Sequence, residues 1–221
     1  MGSKTRHSVL VVIPAYNEEE VIGRTIDLIK ATKLPLDIIV VNDGSTDRTA
    51  TIAKEKGCVV VNMPKNVGKA NAFLAGIKEA LKLNPTAVVT LDADMVKVPK
   101  RSLKKMIALV SKATKRRKIL MVVAPVYEPQ ISLPIYWISG IRAFSVPALY
   151  RLASSKFKSV PKGYGLERFL EEFFRKNRMI LNKRYAFEAM CAYRKKDAVR
   201  IQRSDGQVTV KRLRSRMKRL R

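Results

Sequence analysis

The chain has 221 residues, 47% of them hydrophobic, which suffices for one domain with a sizeable core. Its formal net charge of +27 implies a polyanionic neighbour, which is a nucleic acid, an anionic membrane or a phosphorylated substrate. No apolar run approaches the roughly 20 residues that cross a bilayer, and the start has no apolar signal core, so a cytoplasmic protein is expected.

Strand and helix patterns alternate through the first half of the chain. Apolar runs of this kind predict strands that are buried on both faces. Strands that alternate with amphipathic helices predict an α/β fold, a Rossmann-like and mostly parallel sheet flanked by helices. The predicted strands are Ser8–Pro14, Asp37–Val41, Cys58–Asn62, Ala87–Leu91 and Ile119–Ala124.

The helices of this half are predicted from polar starts and apolar periodicity. Asn17 is expected to cap the first helix, and its first turn would then hold three glutamates that favour a helix N-terminus. Further helices are predicted up to about Lys56, over Val67–Leu83 and after Pro99.

The second half is less regular. Its apolar patterns predict strands over Tyr136–Ser145 and Met179–Ala186, and helices over Pro147–Ser154 and Leu166–Asn177. From Gln207 onward, apolar residues recur every three or four positions with arginines and lysines between them. This pattern predicts a basic amphipathic helix at the end of the chain.

Acidic residues follow the fourth predicted strand, where ligands of a parallel sheet bind. Asp92 and Asp94 stand one residue apart and offer oxygen ligands to a hard cation. The only histidine, His7, precedes the first strand, so carboxylates must hold any metal, which favours Mg²⁺ or Mn²⁺. The alternative is a chance acidic pair in a loop.

Polar turns follow the first three predicted strands, at Pro14–Glu18, Asn42–Asp47 and Asn66–Ala72. One interpretation is that these are turn-and-cap sequences. The other is that they line one crevice that binds a base and a ribose. In the third turn, Gly68 would let the backbone come close to a ligand, and Lys69 would meet a phosphate.

Four segments carry a family resemblance, in this order: VVIPAYNEEEVI, IIVVNDGSTDRTATIA, KNVGKANAFLAGIKEA and VVTLDADMVKVP. Together they resemble the family-2 glycosyltransferases over residues 8–100. Ser139–Phe144 is similar to the Ser-Gly-x-Arg stretch of polyprenyl-phosphate sugar synthases such as dolichyl-phosphate mannose synthase. Gly163–Glu167 is similar to a Gly-x-Gly-x-Glu element of small bacterial and archaeal members.

The resemblance implies a GT-A type domain over residues 1–190. Residues 8–100 would bind the nucleotide sugar, residues 101–190 would form the acceptor half, and residues 191–221 would be the basic tail. It implies that the nucleoside lies near Pro14, Ala15, Tyr16 and Glu18, that Asp43 hydrogen-bonds the base, and that Gly68 and Lys69 lie close to the donor. Asp92 would contact the ribose or the metal, and Asp94 would bind the metal directly.

Two residues of the second half are candidates for catalysis. Glu167 would be the general base of an inverting transfer to a hydroxyl, or else a first-turn glutamate that satisfies a helix N-terminus. A lipid phosphate acceptor is already ionised and needs no strong base, and Glu167 would then position the acceptor or a basic partner. Arg142 would bind such a phosphate or form a structural ion pair.

The resemblance therefore implies a metal-dependent, inverting glycosyltransferase that uses a UDP- or GDP-sugar. The implied acceptor is a polyprenyl phosphate at the cytosolic membrane face, and the alternative is a soluble or protein hydroxyl. The basic tail and Ile131–Ile138 would contact an anionic membrane, or the tail would be a solvated face packed on the domain.

Nucleic-acid binding is disfavoured because the tail from Lys195 contains no aromatic residue. A sugar nucleotidyltransferase would need a glycine-rich, arginine-containing loop where Pro14–Asn17 stands.

Overall fold

The computed structural model describes residues 9–124, 126–128, 133–135, 140–155, 165–176 and 180–182. The strands are β1 (Val9–Ala15), β2 (Leu36–Asn42), β3 (Val59–Asn62), β4 (Ala87–Thr90), β5 (Leu120–Val123), β6 (Val126–Glu128), β7 (Leu133–Ile135), β8 (Arg142–Phe144) and β9 (Ile180–Asn182). The helices are α1 (Ile22–Ala31), α2 (Thr49–Glu55), α3 (Lys69–Lys82), α4 (Lys100–Lys115), α5 (Val146–Ser154) and α6 (Gly165–Lys176).

Seven of these strands form one sheet, in the order β3-β2-β1-β4-β8-β5-β9. Strands β1 to β4 are mutually parallel, and β9 is parallel to β5. Strand β8 runs antiparallel to both of its neighbours, β4 and β5. The prediction of a mostly parallel α/β sheet is thus confirmed, with one reversed strand in its interior.

Both faces of the sheet are covered by helices. On β1, Val11 and Ile13 face a core shared with α1, α2 and α4, whereas Leu10 and Val12 face a core shared with α3, α5 and α6. Burial on both faces explains why the predicted strands are continuous apolar runs without polar alternation.

An aromatic contact holds α6 against the sheet. The ring of Phe144 on β8 lies 5.9 Å from that of Phe73 on α3 and 6.3 Å from that of Phe174 on α6, measured between ring centroids. All three side chains are buried to 2% exposure or less. Large buried aromatic side chains dominate core energetics, so this contact fixes the position of α6 and of the polar residues in its first turn.

The start of α1 differs from the prediction. Asn17 does not cap the helix, which begins five residues later at Ile22. Asn17 has a left-handed backbone with φ of 52°, and its side-chain oxygen accepts a hydrogen bond from the backbone N–H of Thr46 at 2.9 Å. The prediction was wrong because the Asn17 side chain contacts the neighbouring loop and leaves its own helix uncapped.

The second half confirms the predicted elements in part. Strand β8 occupies three residues of the predicted Tyr136–Ser145, and β9 three residues of Met179–Ala186. The hairpin of β6 and β7 was not predicted. The basic tail over residues 191–221, with the helix predicted from Gln207 onward, lies outside the described residues. In the described part of the chain, no helix combines the length and the apolar character needed to cross a bilayer.

Candidate active site

The loops after β1 and β2 are bound to each other by hydrogen bonds. The backbone N–H of Asn17 donates to Ser45 Oγ at 3.0 Å, and that of Glu19 donates to Asp47 Oδ2 at 3.1 Å. In return, the backbone N–H of Arg48 donates to Glu19 Oε2 at 3.0 Å. These contacts join residues almost 30 positions apart and make one wall from two loops at the carboxyl edge of the sheet.

The residues expected near the nucleoside belong to this wall. Pro14 is half-buried and Ala15 is buried, whereas the Tyr16 side chain is 44% exposed. The backbone N–H of Glu18 donates to Thr49 Oγ1 at 2.7 Å, which fixes the loop against the start of α2. Tyr16 therefore presents an open aromatic ring on a rigid support.

Asp43 is only 3% exposed and braces the next loop. Its two carboxylate oxygens accept hydrogen bonds from the backbone N–H groups of Val67 at 2.8 Å and Gly68 at 2.9 Å. Gly68 has φ of 88°, a conformation that glycine adopts without steric cost. Asp43 thus shapes the turn that leads into α3, and its contact with a base remains a prediction.

Four charged residues meet where α3, β4, β8 and α6 converge, and we name them the carboxyl-edge cluster. Lys69 Nζ lies 2.9 Å from Asp92 Oδ1 and 2.7 Å from Glu167 Oε1. Arg142 is 1% exposed and Glu167 is fully buried. Lys69 and Asp92 are partly buried, with side chains 34% and 18% exposed. The cluster therefore removes two cations and two carboxylates partly or wholly from solvent, which is costly unless the charges compensate one another. Its members are Lys69, Asp92, Arg142 and Glu167.

Charge compensation keeps both cations of the cluster protonated. Burial alone would lower the pKa of Lys69, but the carboxylates of Asp92 and Glu167 outweigh this effect and raise that pKa above its ordinary value. Burial lowers the pKa of the Arg142 guanidinium, and the carboxylates of Glu167, Glu171 and Asp92 oppose the shift. Lys69 consequently stays positive throughout the neutral range.

Gly140 lies directly against Asp92. A Cβ atom on Gly140 would lie 2.0 Å from Asp92 Oδ1 and 2.6 Å from its Cγ, which no real contact allows. The carbonyl of Gly140 accepts a hydrogen bond from Thr90 Oγ1 at 2.9 Å, so the backbone cannot easily move away. The missing side chain at Gly140 makes the position of Asp92 possible. No local sequence signal reveals this role of Gly140, which stands within the Ser139–Phe144 segment.

The turn that contains Asp94 is attached to α1. Thr25 Oγ1, fully buried on α1, donates a hydrogen bond to the carbonyl of Ala93 at 2.6 Å. Asp94 is half-buried beside this anchor. The turn thus holds two carboxylates at a fixed spacing past the end of β4.

These carboxylates fit a Mg²⁺ or Mn²⁺ ion that takes most of its ligands from elsewhere. In the described part of the chain, no three histidine, cysteine or acidic residues converge on one metal position. Mg²⁺ is usually held by one or two carboxylates together with water and substrate phosphates, and this donor set suits such an ion. Asp94 as a direct ligand of the metal, and Asp92 as a contact to the ribose or the metal, remain predictions from the family resemblance.

The structure unites residues that the sequence placed far apart. Lys69 and Glu167 are 98 positions apart and share a hydrogen bond. Arg142 and Asp92 complete the same cluster, whereas Tyr16 belongs to the wall built from the first two loops. Glu171 was missed as a neighbour of Arg142, although its place one helical turn after Glu167 was a signal that could have found it.

Comparison with known proteins gives the family. The chain matches the Glycosyl transferase family 2 over residues 10–201. It is 41% identical over 95 residues to an uncharacterised protein of Methanocaldococcus jannaschii, covering 43% of this chain and 39% of the relative. It is 38% identical over 102 residues to the undecaprenyl-phosphate 4-deoxy-4-formamido-L-arabinose transferase of Pectobacterium carotovorum, covering 42% of this chain and 30% of the relative. The matched segments thus span well under half the length of these curated relatives.

Solved structures share the fold. The glucosyl-3-phosphoglycerate synthase of Mycobacterium tuberculosis, in complex with Mn²⁺, UDP and phosphoglyceric acid, superposes with a TM-score of 0.61 at 23% identity, covering 80% of this chain and 68% of that one. Its complex with Mn²⁺, UDP and glucosyl-3-phosphoglycerate gives a TM-score of 0.60 at 22% identity, covering 80% and 70%. The likeness establishes the GT-A fold, and together with the family match it shows that the chain belongs to the family-2 glycosyltransferases.

Proposed function

We propose that this glycosyltransferase moves a sugar, with inversion, from a UDP- or GDP-sugar to a polyprenyl phosphate at the cytosolic membrane face, with Mg²⁺ or Mn²⁺ as cofactor. The observation that carries the proposal is the carboxyl-edge cluster, which puts the buried Arg142 and the partly buried Lys69 beside the Asp92-Ala93-Asp94 turn. A site of this charge suits a reaction in which both the donor and the acceptor bring phosphate groups.

On the donor side, Asp94 and Asp92 would hold the metal, which when bound offsets the charge of the leaving diphosphate. Lys69 is the first residue of α3, so its ammonium group and the helix N-terminus would both favour diphosphate oxygens. The nucleoside would lie along the wall formed by the first two loops, with Tyr16 against the base or ribose and Asp43 near the base edge.

The nucleoside wall includes further residues whose roles we propose by position. Pro14 and Ala15 end β1 and set the direction of the chain as it enters the wall. Glu18 follows in the same loop, fixed through its backbone to Thr49. Among the described residues other than its chain neighbours, no atom lies within 4 Å of where a Cβ atom on Gly68 would stand, so a ligand could approach the backbone there.

On the acceptor side, the ion pair of Glu167 favours a phosphate over a hydroxyl. One carboxylate oxygen of Glu167 already accepts a hydrogen bond from Lys69 Nζ at 2.7 Å. Glu167 would therefore orient Lys69, and Arg142 would contribute charge that attracts the acceptor phosphate. A phosphate acceptor is ionised at neutral pH and needs no base to remove a proton.

One observation favours the hydroxyl acceptor as a second candidate. Oε2 of Glu167 is buried and accepts no hydrogen bond within the described residues, so it could take a proton from an acceptor hydroxyl. In the proposed reaction this oxygen would face the acceptor without reacting.

The names of related proteins support a phosphorylated acceptor. The relative from Pectobacterium carotovorum is named as an undecaprenyl-phosphate transferase. The structural neighbour from Mycobacterium tuberculosis was solved with phosphoglyceric acid. A phosphate group is common to both molecules, although one is a lipid and the other a small acid.

The deciding experiment measures nucleoside diphosphate release from a panel of UDP- and GDP-sugars with Mn²⁺, with and without a short-chain polyprenyl phosphate. Release that the polyprenyl phosphate stimulates supports the proposal and identifies the donor. Donor hydrolysis that ignores the lipid points to the hydroxyl acceptor with Glu167 as base. No release from any donor, with the protein folded, contradicts both acceptors.

A further inference from the structure

Helix α4 and the turn that follows it carry one-third of the net charge of the protein. Between Asp94 and Glu128 the chain contains no acidic residue, and residues 100–118 contain nine basic ones, all of them exposed. None of the nine forms an ion pair with any residue in the described part of the chain. We name this set the α4 basic face: Lys100, Arg101, Lys104, Lys105, Lys112, Lys115, Arg116, Arg117 and Lys118.

The basic residues of α4 lie on one side of the helix. At about 100° per residue, the six within the helix fall inside an arc of about 140°. The opposite side carries the fully buried Leu103, Met106 and Val110, which pack on the sheet. A helix of 16 residues is about 24 Å long, so the face is a straight, one-sided strip of positive charge.

This arrangement works against the local stability of the helix. Lys100 and Arg101 occupy its first turn, where the helix dipole favours acidic residues. Lys100 and Lys104 stand four residues apart, as do Arg101 and Lys105, and like charges at this spacing repel each other.

Other helices of the protein follow the opposite rule. In α3, Lys82 pairs with Glu79 at 2.6 Å, and in α6, Arg168 pairs with Glu172 at 2.9 Å. A face that serves only for solvation would be expected to mix its charges in this way. Concentrating one sign on α4 therefore indicates attraction to an external anion.

The position of α4 links its basic face to the active site. The helix follows β4 and precedes β5, which lie parallel in the sheet through their common antiparallel neighbour β8. In such a crossover the helix runs back along the strands, so its N-terminus lies at the carboxyl edge, close to the Asp92-Ala93-Asp94 turn. A surface bound along α4 would thus meet the edge of the sheet where the donor and acceptor are expected.

We propose that the α4 basic face docks the enzyme on an anionic lipid bilayer. The inference deepens the proposed function and rests on it for its purpose, since a lipid-linked acceptor must be taken from a membrane. Lysines contribute six of the nine charges, and lysine attracts phosphate as a point charge without fixed geometry. Basic residues near an anionic leaflet add attraction residue by residue.

The composition of the face favours lipid over nucleic acid. Residues 95–126 contain no tryptophan, tyrosine or phenylalanine, so there is no aromatic ring on which the bases of a single strand could stack. A flat bilayer can contact a straight strip along its whole length.

The test compares vesicle binding of the full chain and two matched variants. The first replaces Lys100, Lys104, Lys112 and Lys115 by glutamine. The control variant replaces four exposed basic residues elsewhere by glutamine, and these residues also form no ion pair within the described residues. They are Lys33, Lys54, Lys78 and Arg151. Co-sedimentation uses phosphatidylcholine vesicles with or without about 30% phosphatidylglycerol, at about 0.15 M salt.

We expect the α4 variant to bind the anionic vesicles at least about tenfold more weakly, and the control variant to stay within about twofold of the unmodified protein. An equal loss in both variants would show that net charge alone is responsible, and would overturn the proposal. The proposal would also be overturned if the unmodified protein did not bind the anionic vesicles. Binding to duplex DNA is measured in parallel, and an α4 variant that loses DNA binding but keeps vesicle binding would likewise contradict the proposal.

Two further measurements separate this inference from the proposed function. Thermal unfolding of the α4 variant should be unchanged or shifted upward, because like-charge repulsion is removed. Transfer to a short-chain polyprenyl phosphate in solution, without vesicles, should be within about twofold of the unmodified protein. If no transfer occurs with any protein, the proposed function fails, while the vesicle result still decides the docking surface. A loss of soluble transfer in the α4 variant alone would contradict a docking role.

Discussion

The carboxyl-edge cluster and the α4 basic face use the same kinds of side chain in opposite ways. In the cluster, Lys69 lies within 3 Å of two carboxylates, and Arg142 and Glu167 are almost completely removed from solvent. On the α4 basic face, nine cations are exposed to water, and no carboxylate of the described residues pairs with them. The cations of the cluster pair with carboxylates of the protein itself, whereas those of the α4 basic face are exposed and could pair with an external anion.

The difference determines how each region should respond to a substitution. A buried charge whose partner is removed keeps its desolvation cost and loses its compensation. An exposed charge among like charges is partly screened, and its removal relieves repulsion. Single changes in or beside the cluster should therefore be severe, whereas single changes on α4 should be mild or stabilising. The following substitutions test this contrast, from the largest expected effect to the smallest.

Replacing Asp94 by asparagine should lower the turnover by about 10³-fold, because the amide keeps the shape of the side chain and removes the charge that would hold the metal. Nucleoside diphosphate release measures the turnover, and calorimetric titration of Mn²⁺ in the presence of the nucleotide measures the lost binding. Asp37→Asn, at an exposed position on β2, is the control and should retain both. Full turnover in Asp94→Asn would exclude the metal role.

Replacing Gly140 by alanine should lower turnover by about 10²-fold. The new Cβ would lie 2.0 Å from Asp92 Oδ1, so the carboxylate must move away from Lys69 and from its place in the turn. A displacement of about 1 Å at a reacting centre can cost this much. Steady-state kinetics with the preferred donor measures the effect.

Gly23→Ala in α1 is the matched control for this change. A Cβ atom there would lie 3.0 Å from the end of the flexible Lys56 side chain, which can move aside, and 3.3 Å from Ile52 Cγ2, which would have to shift by a few tenths of an ångström. Alanine also favours a helix over glycine, so both fold and turnover should be retained. If Gly140→Ala behaves like this control, Asp92 does not need its observed position.

Replacing Glu167 by glutamine should lower the free energy of unfolding by about 2 kcal/mol. The change leaves Lys69 with one carboxylate partner, and the effect is smaller than for a fully buried pair because the Lys69 side chain is 34% exposed. Chemical denaturation measures it, with Glu172→Gln on the same helix as the control. Glu172 accepts its hydrogen bond from Arg168 at the surface, and its loss should not change stability measurably. Equal effects in both variants would remove the contrast between the cluster and the surface.

The elements from β1 to β5 follow from local sequence signals. Continuous apolar runs predicted β1 to β5 to within about two residues, because strands covered on both faces need no polar alternation. Helix α1 was placed too early, since Asn17 and Glu19 contact the loop after β2, and no local signal announces that pairing. The direction of β8 was equally hidden, because its three residues carry no mark of the strands on either side.

The residues of the cluster were predicted one at a time and their contacts were not. Motifs identified Lys69, Asp92, Arg142 and Glu167 as candidates, each with its own ligand. The ion pair between Lys69 and Glu167 depends on the packing of Phe144 between α3 and α6, which brings together segments 98 residues apart. Local periodicity predicts elements, whereas contacts at this separation arise from the assembled core.

Replacing Arg101 by glutamate should stabilise the protein by about 0.5 kcal/mol, although it reverses a charge. The new carboxylate lies in the first turn of α4, where the helix dipole favours it, and stands four residues before Lys105 in the favourable orientation. Thermal unfolding at low and high salt measures the change. The gain should shrink as salt rises, because screening already relieves the repulsion in the unmodified protein. A loss of stability would mean that Arg101 has a partner in the fold, and the basic face would then be matched internally as the cluster is.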